Sequence, residues 1–128
     1  MREGRILVVR RARAPALGIY TLPGGVVELG ETLAEAIVRE VREETALAIE
    51  PVGLAGFRET VARDADNCVE RHFVILCFAA HWVGGEPVLN EELSEARWIL
   101  PGELASLPTT PGLAEIVDAA FDRLGASR

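Results

Sequence analysis

The stretch from residue 32 to residue 45 most constrains the fold, because it combines a helix start signal with a helical pattern of apolar residues. Thr32 is followed three residues later by Glu35, and this capping-box pair favours the first turn of a helix. The apolar residues that recur at helical spacing are Leu33, Ala34, Ile37, Val38 and Val41. A helix with one apolar face must bury that face, so the stretch predicts a globular domain.

The same predicted helix is unusually acidic. Six glutamates of the chain lie within one window of 17 residues, with only Arg39 and Arg42 to oppose them. Glu40, Glu43 and Glu44 fall within an arc of about 100° that borders the apolar face. Like charges at this spacing cost about 0.2–0.5 kcal/mol per pair, and the helix dipole also disfavours anions in the last turn.

An arrangement that is unfavourable for the isolated helix points to function, because proteins break local rules mainly at functional sites. Carboxylate oxygens are hard ligands that suit Mg²⁺ or Mn²⁺, so the three glutamates are candidate metal ligands. A solvated acidic face is the alternative. Gly24, Gly25 and Gly30 precede the helix, and glycines allow positive φ and close approach to a ligand. Loop and helix together predict a metal and phosphate site.

The composition excludes several classes of protein. All 13 basic residues are arginine, which excludes a lysine nucleophile, a Schiff base and a P-loop lysine. The net charge of −7, with no basic run, argues against binding of long nucleic acid. The longest apolar run, residues 73–80, is far shorter than the ~18 residues that span a membrane. We therefore expect a cytoplasmic protein with no membrane partner.

Apolar stretches bounded by turns predict strands at residues 5–10, 19–22, 51–60, 71–82 and 96–100. The other expected elements are a polar loop over 61–67, a helical turn over 101–107 and a helix over 113–124, with Gly125 just past its end. The continuous apolar centre of 71–82 predicts a strand buried on both faces, as in a sheet between helices. The order of elements predicts an α/β or α+β domain.

The residues from Gly25 to Leu47 resemble the signature of the Nudix hydrolase family. That signature is a glycine, five residues, a glutamate, seven residues, then Arg-Glu-apolar-x-Glu-Glu-x-Gly-apolar. Gly25 is followed by Glu31 at the required spacing, and then by the run Arg39-Glu40-Val41-Arg42-Glu43-Glu44-Thr45-Ala46-Leu47. The resemblance implies a mixed β-sheet sandwiched between helices, forming a single Nudix domain over residues 1–128.

The resemblance also implies a Mg²⁺-dependent pyrophosphohydrolase, with Mn²⁺ as a second candidate metal. Such an enzyme cleaves a nucleoside diphosphate linked to another moiety, by attack of water at phosphorus. The candidate substrates are ADP-ribose-like compounds, nucleotide sugars, dinucleoside polyphosphates and (d)NTPs. The main alternative is a non-catalytic Nudix-fold module that binds a nucleotide as a sensor. An isopentenyl-diphosphate isomerase, which shares the fold, is disfavoured because its cysteine motif is absent.

Roles for individual residues follow from the same resemblance. The implied metal ligands are Glu40 and Glu44, with Glu43 and Gly24 as further contributors. Arg39 orients the glutamates through charge-assisted hydrogen bonds, and Glu31 orients the loop. The general base is a signature glutamate or an acid from the loop that carries Glu91, Glu92 and Glu95. The candidate substrate contacts are Gly25, Arg13, Tyr20, Arg58, Arg71 and Glu92.

Two departures from the family pattern carry structural expectations. Ala46 replaces the family glycine at the end of the helix, where a left-handed conformation costs alanine about 1 kcal/mol. Family members usually have a strand before residues 5–10, and this chain begins too late to supply it in full. Either the start is trimmed or that sheet edge is completed differently, for example by the partner subunit of a homodimer.

Overall fold

The computed structural model describes residues 1–14 and 16–124. Its strands are β1 (Ile6–Arg11), β2 (Tyr20–Thr21), β3 (Ala48–Arg63), β4 (Val69–Gly84) and β5 (Leu93–Ile99). Its helices are α1 (Leu33–Thr45) and α2 (Leu113–Leu124), with a 3-10 helix at Pro101–Ser106. The helix-ending role expected of Gly125 lies outside the described residues. No helix among the described residues is long and apolar enough to cross a membrane.

The strands form two sheets. β1 pairs antiparallel with β2 on one side and with β5 on the other. β3 and β4 pair antiparallel with each other as a long hairpin. Strand β5 begins at Leu93, three residues before the predicted strand, so Glu95 belongs to the sheet and not to the loop that was expected to carry it.

β1 lies at the centre of the fold because apolar residues cover both of its faces. Val8 belongs to a buried cluster with Val117 of α2, and Leu7 and Val9 belong to a second cluster with Val41 of α1. Burying a side chain of this size stabilises the fold by about 1.5–3 kcal/mol. The two helices therefore cover opposite faces of the central sheet. The predicted α+β fold, with a sheet between helices, is confirmed.

Helix α1 begins and ends where the sequence predicts. The Thr32 hydroxyl accepts the Glu35 N–H at 3.1 Å, and the Glu35 carboxylate accepts the Thr32 N–H at 2.8 Å. This capping box satisfies two backbone donors of the first turn. Ala46 ends the helix in the left-handed region, with φ 62°, and its N–H donates to the Arg42 carbonyl at 2.9 Å.

The predicted apolar stripe of α1 is buried only beyond its first turn. Val41 is buried, and Ala36 and Thr45 are buried with it, whereas Leu33 is 42% exposed. Leu33 and Ala34 lie in the first turn, whose residues are exposed.

Strands β3 and β4 extend further than the sequence predicts. β3 covers residues 48–63 rather than 51–60, and β4 covers 69–84 rather than 71–82. The loop expected over 61–67 therefore shrinks to residues 64–68. There the Asp64 carboxylate accepts the N–H groups of Asp66 and Cys68, each at 2.9 Å.

The outer half of this hairpin, which we call the ribbon (residues 57–62 and 69–76), is exposed on both faces. Every residue from 69 to 76 is exposed, and Phe57 and Val74 are 64% and 62% exposed. The predicted burial of β4 on both faces is therefore wrong for this half of the strand. In β4, only Cys77 and Ala79 are buried. The covering layers that the apolar sequence implies reach only the base of the hairpin.

The edge of β4 that faces away from β3 is paired only near its end. The Met1 ammonium donates to the Ala80 carbonyl at 2.5 Å, and the Met1 carbonyl accepts the Trp82 N–H at 2.9 Å. Slanted bonds from one residue to partners two apart are typical of a parallel ladder. Among the described residues, no other backbone group bonds to this edge. Alongside the ribbon, its backbone groups are unpaired.

Candidate active site

The glutamates of α1 belong to two hydrogen-bond networks. In the first network, the Arg39 guanidinium donates to three carboxylates. Its Nε and Nη2 donate to the two carboxylate oxygens of Glu31 at 2.7 and 2.9 Å. Its Nη1 donates to Glu40 at 2.5 Å and to Glu43 at 3.2 Å. Nη2 also donates to the Val26 carbonyl at 2.9 Å, which ties the glycine loop to the helix.

These contacts keep Glu31 and Arg39, which form a bidentate pair, ionised. The hydrogen bonds from Arg39 are the largest cause that lowers the pKa of Glu31 below its ordinary value. The hydrogen bonds to Glu31 and Glu40 in turn raise the pKa of Arg39. A bidentate guanidinium–carboxylate pair fixes the geometry of both groups, so Glu31 and Arg39 hold the loop against the helix.

Glu44 belongs to the second network. One of its carboxylate oxygens accepts the Gly24 N–H at 2.9 Å. Burial is the largest cause that raises the pKa of Glu44, and the charges of Glu40 and Glu92 raise it further. The Gly24 hydrogen bond and the charge of Arg11 act in the opposite direction. A cation placed beside such a partly buried carboxylate would stabilise its ionised form.

Gly25 is required by a close contact with α1. A Cβ at this position would collide with the carboxylate of Glu40, so only glycine leaves that carboxylate its place. The positive φ that the sequence led us to expect in this loop occurs at Gly30, with φ 90°, and at neither Gly24 nor Gly25.

The segment between β4 and β5 closes over the end of α1. The Val88 N–H donates to the Thr45 carbonyl at 2.9 Å, and the Asn90 N–H donates to the Glu44 carbonyl at 3.1 Å. These bonds satisfy carbonyl groups that a helix end leaves without partners. They also bring Glu92 near enough for its charge to act on the Glu44 carboxylate.

The other two acids considered as general base have different partners. Glu95 accepts the Tyr20 hydroxyl at 2.9 Å and pairs with Arg97, and the Arg97 hydrogen bond is the largest cause that lowers its pKa. Glu91 is exposed and pairs with Arg13 at 3.6 Å. Neither acid is brought to the glutamates of α1.

A cleft of about 890 Å³ opens beside these glutamates. Gly24, Gly25, Glu40 and Arg11 line it, together with Arg58 from the hairpin. The cleft thus places the Glu40 carboxylate, the Gly24 and Gly25 backbone and two guanidinium groups around one space. Such a mixture can accept an anionic ligand only where cations offset the carboxylate charge.

The residues expected to contact a substrate are not all brought together. Gly25 and Arg58 border the cleft, and Arg58 Nη1 donates to the Thr110 hydroxyl at 2.8 Å. Tyr20 is only 5% exposed and belongs to the core cluster on the α2 side, so it lies outside this site. Arg71 is exposed on the ribbon. Within the described part of the chain, no contact joins Arg71, or the exposed Arg13, to the glutamates of α1.

The donor set fits Mg²⁺ or Mn²⁺ in its chemistry. Glu40, Glu43 and Glu44 supply carboxylate oxygens, and the Gly24 backbone lies against the last of them. Among the described residues, no three acidic, thiol or imidazole side chains converge tightly enough to hold a metal ion. The carboxylates do not converge because each has another partner. Glu40 and Glu43 accept hydrogen bonds from Arg39, and Glu44 accepts one from the Gly24 N–H. A cation entering here competes with Arg39.

Sequence reasoning missed two features of the site. The Gly24 N–H donates directly to the Glu44 carboxylate, whereas the two residues were expected at one metal site without a bond between them. Arg11 was not considered at all, although the two-residue period of a strand places it on the same face as Leu7 and Val9. That period was the signal that could have found it.

Comparison with known proteins identifies the family. The NUDIX domain family model matches residues 1–120. The ADP-ribose pyrophosphatase of Methanocaldococcus jannaschii is 35% identical over 107 residues, which cover 84% of this chain and 59% of that protein. The NAD-capped RNA hydrolase NudC of Stutzerimonas stutzeri is 33% identical over 113 residues, covering 88% of this chain and 38% of that protein. The crystal structure of a MutT NUDIX hydrolase from Burkholderia pseudomallei is 32% identical, with a TM-score of 0.78 over 93% of this chain and 90% of that one.

The fold and the site thus define a domain built on a glutamate-rich helix and the glycine loop before it. The chain belongs to the Nudix family. It spans less than two thirds of the length of the ADP-ribose pyrophosphatase and of NudC, to which it is similar.

Proposed function

We propose that this chain is a Mg²⁺-dependent pyrophosphohydrolase that cleaves a nucleoside diphosphate linked to another moiety. Water attacks one phosphorus, the P–O bond of the anhydride breaks, and the products are a nucleoside monophosphate and a phosphorylated remainder. The observation that carries the proposal is the pairing of the glycine loop with the α1 glutamates beside an open cleft. Phosphoryl transfer needs positioning and charge neutralisation, and this arrangement supplies both kinds of group.

The metal would be held by Glu40 and Glu44, with Glu43 and the Gly24 backbone as further contributors. When bound, Mg²⁺ or Mn²⁺ supplies the charge neutralisation and the acidified water that the anhydride needs. The general dependence of the family on divalent metals agrees with this donor set. Arg39 and Glu31 hold the glutamates and the loop in place.

Glu92 is our candidate for the general base. Its charge acts on Glu44, whereas Glu91 and Glu95 are engaged by arginines away from α1. A base that is held by a loop must lie near the bound water in order to accept its proton. Glu44 is the alternative, as a signature glutamate.

ADP-ribose is the first substrate to test. One relative is named an ADP-ribose pyrophosphatase and another an NAD-capped RNA hydrolase, and each name includes a nucleotide derivative. We rank the small molecule above RNA because the chain has a net charge of −7 and no basic run. Gly25 and Arg58 are the residues we propose as substrate contacts.

A hydrolysis screen tests the proposal. ADP-ribose, a nucleotide sugar, a dinucleoside polyphosphate and a (d)NTP are incubated with the chain in Mg²⁺, in Mn²⁺ or in EDTA, and nucleoside monophosphate is measured. We expect release from at least one compound, abolished by EDTA. Tight nucleotide binding without turnover under all conditions would favour the sensor function instead.

We also propose that the chain forms a homodimer through the ribbon. The ribbon carries an apolar face around one acid–base pair: Phe57, Val61, Val74 and Leu76 surround Glu59 and His72. A two-fold axis can place Glu59 of one copy against His72 of the other, so the face is self-complementary. The ribbon has two arginines and two glutamates, and is therefore neutral within a chain of net charge −7.

Two further expectations from the sequence stay predictions. These are the single domain over residues 1–128 and the cytoplasmic location.

A further inference from the structure

We propose that Asn90 is a positioning residue that holds Glu92, the candidate general base, beside the glutamates of α1. This role rests on the proposed pyrophosphohydrolase function and adds a residue to it. Asn90 is half-buried in the segment between β4 and β5. It lies two residues before Glu92, on the part of this segment whose backbone contacts the end of α1.

The backbone of Asn90 is fixed to the end of α1. Its N–H donates to the Glu44 carbonyl at 3.1 Å, and the Val88 N–H donates to the Thr45 carbonyl at 2.9 Å. Leu89, between these two donors, packs against the buried cluster that β1 and α1 share. Asn90 is therefore held beside the residue that we propose as a metal ligand.

The side chain of Asn90 fixes the next turn of the chain. Its Oδ1 accepts the Glu92 N–H at 3.0 Å, and its carbonyl accepts the Leu93 N–H at 3.3 Å. Asparagine and aspartate have a short side-chain acceptor that reaches the N–H two residues further on, and serine and threonine do so more weakly. The side chain at position 90 thus decides the course of the backbone into Glu92.

Glu92 is held from its other side as well. Its carbonyl accepts the Ala12 N–H at 2.8 Å, just after the end of β1. The Glu92 side chain is exposed, and its charge acts on the Glu44 carboxylate. Because an exposed glutamate side chain has many rotamers, its backbone anchors decide how near its carboxylate stays to α1. The bonds from Asn90 and Ala12 are these anchors.

The neighbouring acid, Glu91, has different surroundings. It lies between Asn90 and Glu92, its side chain is 80% exposed, and it pairs with Arg13 at 3.6 Å. The turn at Asn90 therefore separates two adjacent carboxylates, with Glu91 near Arg13 and Glu92 near Glu44. A general base needs a fixed position, because a displacement of about 1 Å can cost about 100-fold in rate.

Substitution of Asn90 by alanine and by aspartate tests the inference. Asn90→Ala keeps the N–H to Glu44 and loses the acceptor for Glu92. We expect its kcat at saturating Mg²⁺ to fall by roughly 10–100-fold, with little change in KM. Asn90→Asp keeps the acceptor and should retain most of kcat. Ser94→Ala is the matched control, because it removes a nearby side-chain hydrogen bond, to the Arg10 carbonyl, and it should match wild type.

A double-mutant cycle with Glu92→Gln separates positioning of the base from a general effect on the fold. If Asn90 acts through Glu92, Asn90→Ala should cause little further loss of kcat in the Glu92→Gln protein. Multiplied losses in the double variant would overturn the inference, and so would a wild-type kcat in Glu92→Gln or in Asn90→Ala. Each of these results leaves Mg²⁺-dependent hydrolysis by the wild type, and hence the proposed function, intact.

Metal binding is a second readout, because Asn90 also contacts the backbone of Glu44. The Kd of Mn²⁺ alone, measured by electron paramagnetic resonance, should be the same in wild type and Asn90→Ala. A loss of Mn²⁺ affinity in proportion to the loss of kcat would mean that Asn90 acts through Glu44, and would overturn the inference. Circular dichroism and the unfolding midpoint of each variant establish that the compared proteins are folded.

NMR covers the case in which no compound of the screen is cleaved. The proposed function then fails, and the relaxation that Mn²⁺ induces at the Glu92 amide proton decides about Asn90, because this relaxation falls steeply with distance. Weaker relaxation in Asn90→Ala than in wild type and Asn90→Asp supports the placement of Glu92 by Asn90. Equal relaxation in all three proteins, or none in the wild type, overturns it.

Discussion

At the scale of single residues, the arrangement of the site depends on which partner each glutamate carboxylate contacts. Glu31, Glu40 and Glu43 all contact one guanidinium, that of Arg39, and Glu44 is left to a backbone N–H and to its neighbours. The family resemblance predicted Arg39 as an orienting group. The contact with Glu43 is an ordinary i,i+4 pair. The contacts with Glu31 and Val26 could not be predicted from helix geometry, because they depend on how the loop before α1 folds back on the helix.

Replacement of Arg39 tests its orienting role. Arg39→Ala is expected to lower kcat/KM by roughly 10–100-fold, the range typical for loss of a group that orients a metal ligand. Arg42→Ala is the control, because Arg42 is an exposed arginine on the same helix. Steady-state kinetics of both variants should show the loss in Arg39→Ala alone.

The same variant has a pH signature. Arg39 lowers the pKa of Glu31 in the folded chain below 4.5, so their pairing stabilises the fold above that pH. The stabilisation is lost as pH falls through the lowered folded value. In Arg39→Ala the Glu31 pKa should return towards 4.5 in an NMR titration, and the acid-side fall in Tm should be shallower. An unchanged Glu31 pKa would contradict the pairing.

Gly25 and Gly24 form a second residue-scale comparison. Gly25→Ala places a Cβ against the Glu40 carboxylate, so we expect it to displace that ligand and lower kcat/KM by at least roughly 10-fold. Gly24→Ala meets no atom within 4 Å and keeps its N–H, so it should be much better tolerated. Equal activity of the two variants in the same assay would show that close contact with Glu40 is unimportant.

At the scale of elements, the sequence determines α1 well and β4 poorly. Helix α1 has a local start signal in its capping box, so its beginning can be predicted from the sequence alone. Its end at Ala46 was expected only from the family resemblance, because alanine is itself a strong helix former. The burial of β4 depends on which layers lie over it. Residues 73–76 are apolar in sequence yet exposed, and no local pattern reports the absence of a covering layer.

The left-handed Ala46 gives an element-scale prediction for stability. Ala46→Gly should raise the free energy of unfolding by about 1 kcal/mol, because glycine adopts a φ of 62° without the Cβ strain of alanine. Ala34→Gly, at an exposed position inside the same helix, should lower it by about 0.5–1 kcal/mol. Urea denaturation measures both, and a destabilising Ala46→Gly would contradict the strain.

At the scale of the whole molecule, β1 is the element that unites fold and site. Its two faces anchor α1 and α2, and its last residue, Arg11, reaches the cleft. A sheet between helices was expected from the order of the elements and from the family resemblance. The exposure of the ribbon could not be predicted from the sequence. A two-stranded hairpin is only marginally stable alone, and the sequence of one chain does not show which surface would cover it.

The ribbon gives a prediction for assembly. Val74→Glu puts a charge in the middle of the proposed interface and should convert a dimer into a monomer in light scattering after gel filtration. Leu29→Glu is the control, because Leu29 is a fully exposed apolar residue outside the ribbon, and it should leave the mass unchanged. A wild-type chain that is monomeric at micromolar concentration would refute this interface.

Glu44→Gln tests most directly whether the α1 glutamates hold a metal for anhydride cleavage. The substitution removes one carboxylate charge and nearly conserves shape, and Glu91→Gln is the matched control at an exposed acid. Release of AMP from ADP-ribose in Mg²⁺, or release from the substrate that the screen finds, is the measurement. We expect Glu44→Gln to lose at least roughly 100-fold in kcat and to bind Mn²⁺ more weakly, with Glu91→Gln like wild type. Full Mg²⁺-dependent activity in Glu44→Gln would contradict the claim.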